Sequence, residues 1–98
     1  MLRRNVTTTR SITYTYKAAV LLHGCGVHDG AETTEAVAIL VGLSRAGAQV
    51  QCYAPNRQMH HVINHVTGEE NKHDHRNILE ESARISRGNI LDIKELDA

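Results

Sequence analysis

Cys25, His28, Asp29, Glu32 and Glu35 fall within the run Leu22-His23-Gly24-Cys25-Gly26-Val27-His28-Asp29-Gly30-Ala31-Glu32-Thr33-Thr34-Glu35-Ala36, and no other stretch of the chain sets a thiol among carboxyls and an imidazole. A thiol between Gly24 and Gly26, just ahead of a helix, lies near free backbone N–H groups and the positive end of the helix dipole. Both favour the thiolate and nucleophilic addition. A small residue that simply fits a tight turn has the same signature, and no base is matched to Cys25 in the sequence. Gly24, Cys25, Gly26, Asp29 and Glu32 are accordingly read as a binding turn in which Cys25 is either the reactive group or a filler. Cys52, in an alternating apolar segment, reads as a core thiol.

Two other chemistries fit these residues less well. Seven histidines invite a metal reading, and His61 and His65 have the H-x₃₋₅-H spacing of zinc sites. No paired-cysteine half accompanies them, so no metal is expected, and the histidines read as surface groups in polar loops. The glycines run as G-x-G-x-x-x-G rather than the dinucleotide pattern G-x-G-x-x-G. The following strand also ends in Ala54-Pro55-Asn56, without the acid that would hold a ribose. No cofactor is expected.

The elements that must position these groups follow from periodicity. Ala18 to Leu22 is a short, nearly continuous apolar run, as in a strand covered on both faces of a parallel sheet. Asp29 and Glu32 suit a helix start. The helix then carries Ala36, Ile39, Leu40 and Leu43 at spacings of three and four, and Gly47 ends it. Ala48 to Ala54 alternates polar and apolar and is stopped by Pro55. Val62 and Ile63 within His60 to His65, followed by Gly68, suit a small excursion hairpin. A second helix is expected from about Asn77 to Arg87, with Gly88 as its terminator, and Ile90 to Leu96 as one more helical turn. This is a βαβα series of α/β type, whose third strand is expected beyond the chain.

Composition narrows the function. The chain has 98 residues and a formal net charge of zero, but the charge is uneven. Residues 1–16 hold Arg3, Arg4 and Arg10 and no acid. Residues 17–98 hold the other 8 of 11 basic side chains and all 11 acids, a net of −3. An acidic body without a basic stripe or an aromatic platform argues against nucleic acid, and no apolar run is long enough to cross a bilayer. The Arg-, Thr- and Ser-rich, acid-free segment 1–16 has the composition of a mitochondrial transit peptide, leaving 17–98 as the body. Two cysteines make no disulfide framework.

The blocks GCGVHDGAE, EAVAILVGLSRAGAQVQCYAP, QMHHVINH and RNILEESARISRG occur in that order. They resemble the ES-one proteins of animal mitochondria, with the bacterial ElbB-type glyoxalases as relatives, in the PfpI-like and class I glutamine amidotransferase-like superfamily. The resemblance implies a flavodoxin-like parallel-sheet sandwich, of which this chain supplies the N-terminal portion, and a mitochondrial location. It implies thiol-based handling of small aldehydes such as glyoxal, with the family's nucleophilic cysteine and oxyanion turn downstream of Ala98. Cys25, in a different loop, does not match that nucleophile. Glu35 matches the acid that contacts the nucleophile's thiol, where partial burial raises a carboxyl pKa and suits it to carry a proton. The plainer reading of Glu35 is a helix-start acid facing the dipole. Arg76 and Asn77 match the start of the family's second-helix block and are expected to face the cleft. A small-molecule substrate and a homo-oligomer are the partners expected. The competing class is a non-catalytic binding or assembly module, with an exposed sheet edge and apolar face to pair with another chain.

Overall fold

Alternation builds the core of the sheet. In strands β1 (Tyr16–Leu21) and β2 (Ala48–Ala54), Val20, Cys52 and Ala54 turn toward the helices, while Ala19, Leu21 and Tyr53 turn the other way. The computed structural model describes residues 16–97. Most of segment 1–16, expected as a transit peptide, lies outside these residues, and β1 begins at Tyr16, the last position of that segment.

The order is β1, helix α1 (Thr33–Arg45), β2, a two-residue hairpin of β3 (Ile63–Asn64) and β4 (Glu69–Glu70), helix α2 (Ile78–Ser86), strand β5 (Ile90–Asp92) and a 3-10 turn (Ile93–Glu95). The main sheet has order β1-β2-β5 and is parallel throughout, with Ala18 opposite Val50 and Tyr53 opposite Leu91. The third strand is thus inside the chain. Ile90 to Leu96, expected as a helical turn, begins as a strand because Cys52, Tyr53 and Ala54 offer it a free edge; only its end winds into the 3-10 turn.

Ala36 of α1 and Ile85 of α2 meet Leu22 and Cys52 in one cluster, so both helices lie on the same face. A second cluster joins Ala54, Met59 and Ile78 and ties the excursion to the sheet. The α1 stripe is narrower than expected. Ala36 is buried and Leu40 packs on the cluster, but Ile39 is 55% exposed. Residues four apart share the stripe that faces the sheet, and Ile39 sits to its side.

Helix ends match local chemistry. The first helix is capped by Glu32, not Asp29, and ends at Ala46 ahead of Gly47. The second is capped by Asn77, whose Oδ1 accepts the Glu80 N–H at 2.9 Å. It closes on Arg87 in the left-handed region, at φ 61°. Glu81 makes a three-spaced surface pair with Arg84, at 3.3 Å.

Candidate functional site

The turn after β1 is held by its own backbone. The Ala31 N–H donates to His23 O at 3.0 Å, and the Gly26 N–H donates to Ala31 O at 2.9 Å. Closing the loop this tightly requires glycine at position 30, where a Cβ would stand 2.6 Å from the Cys25 nitrogen. One bond fastens the turn to the far side of the core: the Gly24 N–H donates to Oγ of the fully buried Ser82, at 2.8 Å. The Glu32 carboxylate takes the N–H groups of Glu35 at 2.9 Å and Thr34 at 3.1 Å. Those bonds, Glu35 first, hold its pKa below the ordinary carboxylate value. Half-buried Cys25 points its Sγ toward Thr33 Oγ1, 3.5 Å away at the start of α1.

Asp29 pins the excursion loop onto this turn. Its Oδ2 accepts the Ile63 N–H at 2.8 Å. His65 closes the same junction: Nδ1 lies 3.0 Å from Ile63 O, and Nε2 accepts the His28 N–H at 3.3 Å. The two imidazole rings are tilted against each other with centroids 4.9 Å apart. Gly26 makes room for this contact. At φ 125°, it brings its Cα so close that a Cβ would lie 3.0 Å from Asp29 Oδ1 and 3.1 Å from His65 Nε2. The loop returns to the fold through Met59 N–H to Arg76 O at 2.7 Å and Ile78 N–H to Arg57 O at 2.8 Å.

Turn and loop enclose a cavity of about 380 Å³ lined by Cys25, Gly26, Asp29, Val62, Ile63, Asn64, His65, Asn71, Asp74 and Arg76. It lies past the carboxyl ends of β1 and β2, where open α/β sheets bind ligands. Arg76 donates through Nε to Asp74 at 3.1 Å and through a terminal nitrogen to Glu81 at 3.2 Å. Both acids, Asp74 first, hold the guanidinium firmly charged. A second cavity, about 460 Å³, is lined by His23, Arg57, Gln58, Met59, His60 and Ile78 and holds none of the candidate site residues.

The structure brings Cys25, Gly26, Asp29 and Arg76 into one lining. Gly24 lies beneath it, anchored to Ser82, and Glu32 serves as the cap that orients α1. Asn77 caps α2 and faces a neighbouring groove with Gln58, His75 and Glu80. Glu35 is exposed on the first turn of α1 and is not part of the cavity lining. Sequence reasoning passed over His65, Asn71 and Asp74. The His61/His65 spacing had marked His65, but only as half of a metal pattern. Among the described residues, no three His, Cys, Asp or Glu side chains converge as a metal ligand set, and no helix is long and apolar enough to cross a membrane. Buried Cys52 has its thiol pKa pushed up by desolvation, which suits a core thiol.

No family model matches the sequence. The chain is 52% identical over 82 residues to the human glutamine amidotransferase-like class 1 domain-containing protein 3, mitochondrial, a match covering 84% of this chain and 31% of that protein. It is 51% identical over 82 residues to the rat ES1 protein homolog, mitochondrial, with the same coverage of 84% and 31%. The zebrafish ES1 protein, mitochondrial, is 42% identical over 84 residues, covering 82% and 31%. The chain thus spans about a third of the length of the curated relatives it matches. Among solved structures, an isoprenoid biosynthesis protein with amidotransferase-like domain from Ehrlichia chaffeensis has a TM-score of 0.80 at 41% identity, covering 85% of this chain and 38% of that one. These likenesses bear out the flavodoxin-like α/β architecture and the mitochondrial location. The chain is homologous to the N-terminal part of the mitochondrial glutamine amidotransferase-like class 1, or ES1, proteins.

Proposed function

We propose that this sequence supplies the first wall of a small-molecule site that processes reactive aldehydes of the glyoxal type in a mitochondrial amidotransferase-like domain. The observation that carries the reading is the cavity past the ends of β1 and β2, in a fold matching an amidotransferase-like domain at a TM-score of 0.80. In this reading the nucleophilic thiol comes from residues downstream of Ala98. The thiol sulfur bonds to the aldehyde carbon, the carbonyl π bond opens, and the thiol proton passes to the carbonyl oxygen. Glu35 carries that proton. Its exposed place on the first turn of α1 leaves it open to an approaching group. Cys25, Gly26 and Asp29 of the turn, with Arg76, line the cavity, while Gly24 and Glu32 hold the turn and α1 in place beside it.

The test is glyoxal consumption by the full-length protein that contains this sequence, beside its Glu35→Gln variant. A loss of about 10²-fold or more in the variant is expected for removal of a general acid–base. Unchanged activity in the variant removes Glu35 from the mechanism, and an inactive wild type removes the aldehyde reading.

One observation favours a second reading, a non-catalytic assembly module. Among the described residues the helices cover one sheet face only, and Leu21, Tyr53 and Leu91 turn to the other, with Leu21 55% exposed on the outer strand. An unpaired strand beside apolar surface is a pairing template. Light scattering that reports a dimer of an inactive protein would favour this reading.

A further inference from the structure

The second cavity, between the ends of β1 and β2 and the start of α2, is lined by donors and by no acid. Its volume of about 460 Å³ falls in the range of small-molecule sites, roughly 300–1,000 Å³. The lining is His23, Arg57, Gln58, Met59, His60 and Ile78. His23 follows β1 and Arg57 follows β2, so this cavity too lies past the carboxyl ends of parallel strands. None of the ion pairs among the described residues uses Arg57, His23 or His60. Arg76 of the turn–loop cavity, by contrast, is held by Asp74 and Glu81. A cleft lined by one sign of charge concentrates ions of the other.

The backbone that carries these donors is fixed. The Met59 N–H donates to Arg76 O at 2.7 Å and the Ile78 N–H donates to Arg57 O at 2.8 Å, which ties Arg57 to Met59 onto the start of α2. Met59 and Ile78 are buried and join Ala54 in one apolar cluster, so the cavity has a firm apolar side. Glu70 holds His61 at 3.0 Å, and the His60 ring stands edge-on to His61 with centroids 4.2 Å apart, which orients His60. Because α2 begins at Ile78, the positive end of its dipole meets the cavity. The acids of its first turn are engaged elsewhere: Glu80 lines the neighbouring groove, and Glu81 pairs with Arg76 and Arg84.

We propose that this second cavity binds a small phosphate monoester, its phosphoryl oxygens received by Arg57, His23 and His60 and its carbon part set against Met59 and Ile78. The guanidinium fork engages two oxygens of a phosphoryl group, and each imidazole presents at least one N–H to the oxygen that remains. A carboxylate has only two oxygens and leaves part of this donor set unused. The proposal is independent of the aldehyde reading, because it uses neither Glu35, nor a downstream thiol, nor the turn–loop cavity.

The test is an NMR titration of the nitrogen-15-labelled 98-residue protein with sodium propyl phosphate, and separately with sodium propionate, at constant ionic strength. Saturable shifts of the His23, Arg57, His60 and Ile78 amides are expected with propyl phosphate, and weaker binding of propionate. Arg57→Gln should weaken propyl phosphate binding by about tenfold or more, as loss of a charged donor does, with the amide pattern of both helices retained. His23→Ala and His60→Ala should each weaken it by about threefold. Arg45→Gln removes a positive charge just before β2 begins, away from the cavity past its end, and should leave binding unchanged. Non-saturable shifts, shifts centred on Asp29 and Ile63, or propionate binding as tight as propyl phosphate would each overturn the proposal. So would undiminished binding by Arg57→Gln or by both histidine variants, or a loss in Arg45→Gln as large as in Arg57→Gln.

Discussion

Ser82 and Ser86 lie one turn apart on α2, and their hydroxyls should answer oppositely to removal. Ser82 is 0% exposed, and its Oγ accepts the N–H of buried Gly24 at 2.8 Å. Ser82→Ala strands that N–H where water does not reach, at a cost of about 1–3 kcal/mol. Ser86 Oγ is also buried but has no hydrogen-bond partner among the described residues. Ser86→Ala removes an unmet polar group and improves helix propensity, for a gain of about 0.5–1 kcal/mol. The two variants should therefore differ by about 1.5–4 kcal/mol in unfolding free energy. The assay is urea unfolding followed by far-UV circular dichroism. With a slope of about 1 kcal/mol/M for a small domain, the midpoints should separate by about 1.5–4 M at unchanged slope. Hydrogen exchange adds a local readout, since the Gly24 amide should lose protection in Ser82→Ala only. Coincident midpoints, or a more stable Ser82→Ala, would refute the claim that this bond fastens the turn to the core.

Gly26→Ala should destabilise the protein by about 1–3 kcal/mol, because it combines a strained backbone with a Cβ 3.0 Å from Asp29 Oδ1 and 3.1 Å from His65 Nε2. Faster exchange of the Ile63 amide checks it, and unchanged protection contradicts it. Glu32 has a depressed pKa in the folded protein, so its stabilisation is complete above the ordinary value of about 4.5 and is lost as pH falls through the lower folded value. Thermal unfolding from neutral pH to below 4.5 should show that loss in the wild type and a flatter profile in Glu32→Gln; identical profiles would remove the cap from the account. A thiol reagent should modify half-buried Cys25 promptly and Cys52 only on unfolding, since Cys52 is buried and its pKa is raised. Two thiols reacting at the same rate in the native protein would contradict the burial.

Local signals were legible because they need only a few neighbouring residues. The alternation of Ala48 to Ala54 placed β2 to the residue, and Asn77 and Gly88 bracketed α2. The cluster of Cys25, Gly26 and Asp29 was visible as a glycine-punctuated turn, and it does line a cavity. Asp29 was misassigned as a helix-start acid because its partner, Ile63, lies 34 residues away and no periodicity records that bond. Ile90 to Asp92 has no strand pattern of its own and extends because β2 offers an edge. His65, Asn71 and Asp74 come from a polar loop whose path depends on how it is pinned.

The sequence by itself determined the first two strands and the two helices, where the glycines turn the chain, and its likeness to the mitochondrial ES1 proteins. These depend on side-chain periodicity and backbone freedom within a few residues. Only the tertiary structure decided which groups meet. It moved Asp29 from the helix start to the loop junction, set His65 against it, hung Gly24 on Ser82 across the core, and left Glu35 in solvent. Contacts between residues far apart in the chain are chosen by packing and by the satisfaction of buried polar groups, and neither is written into a local pattern.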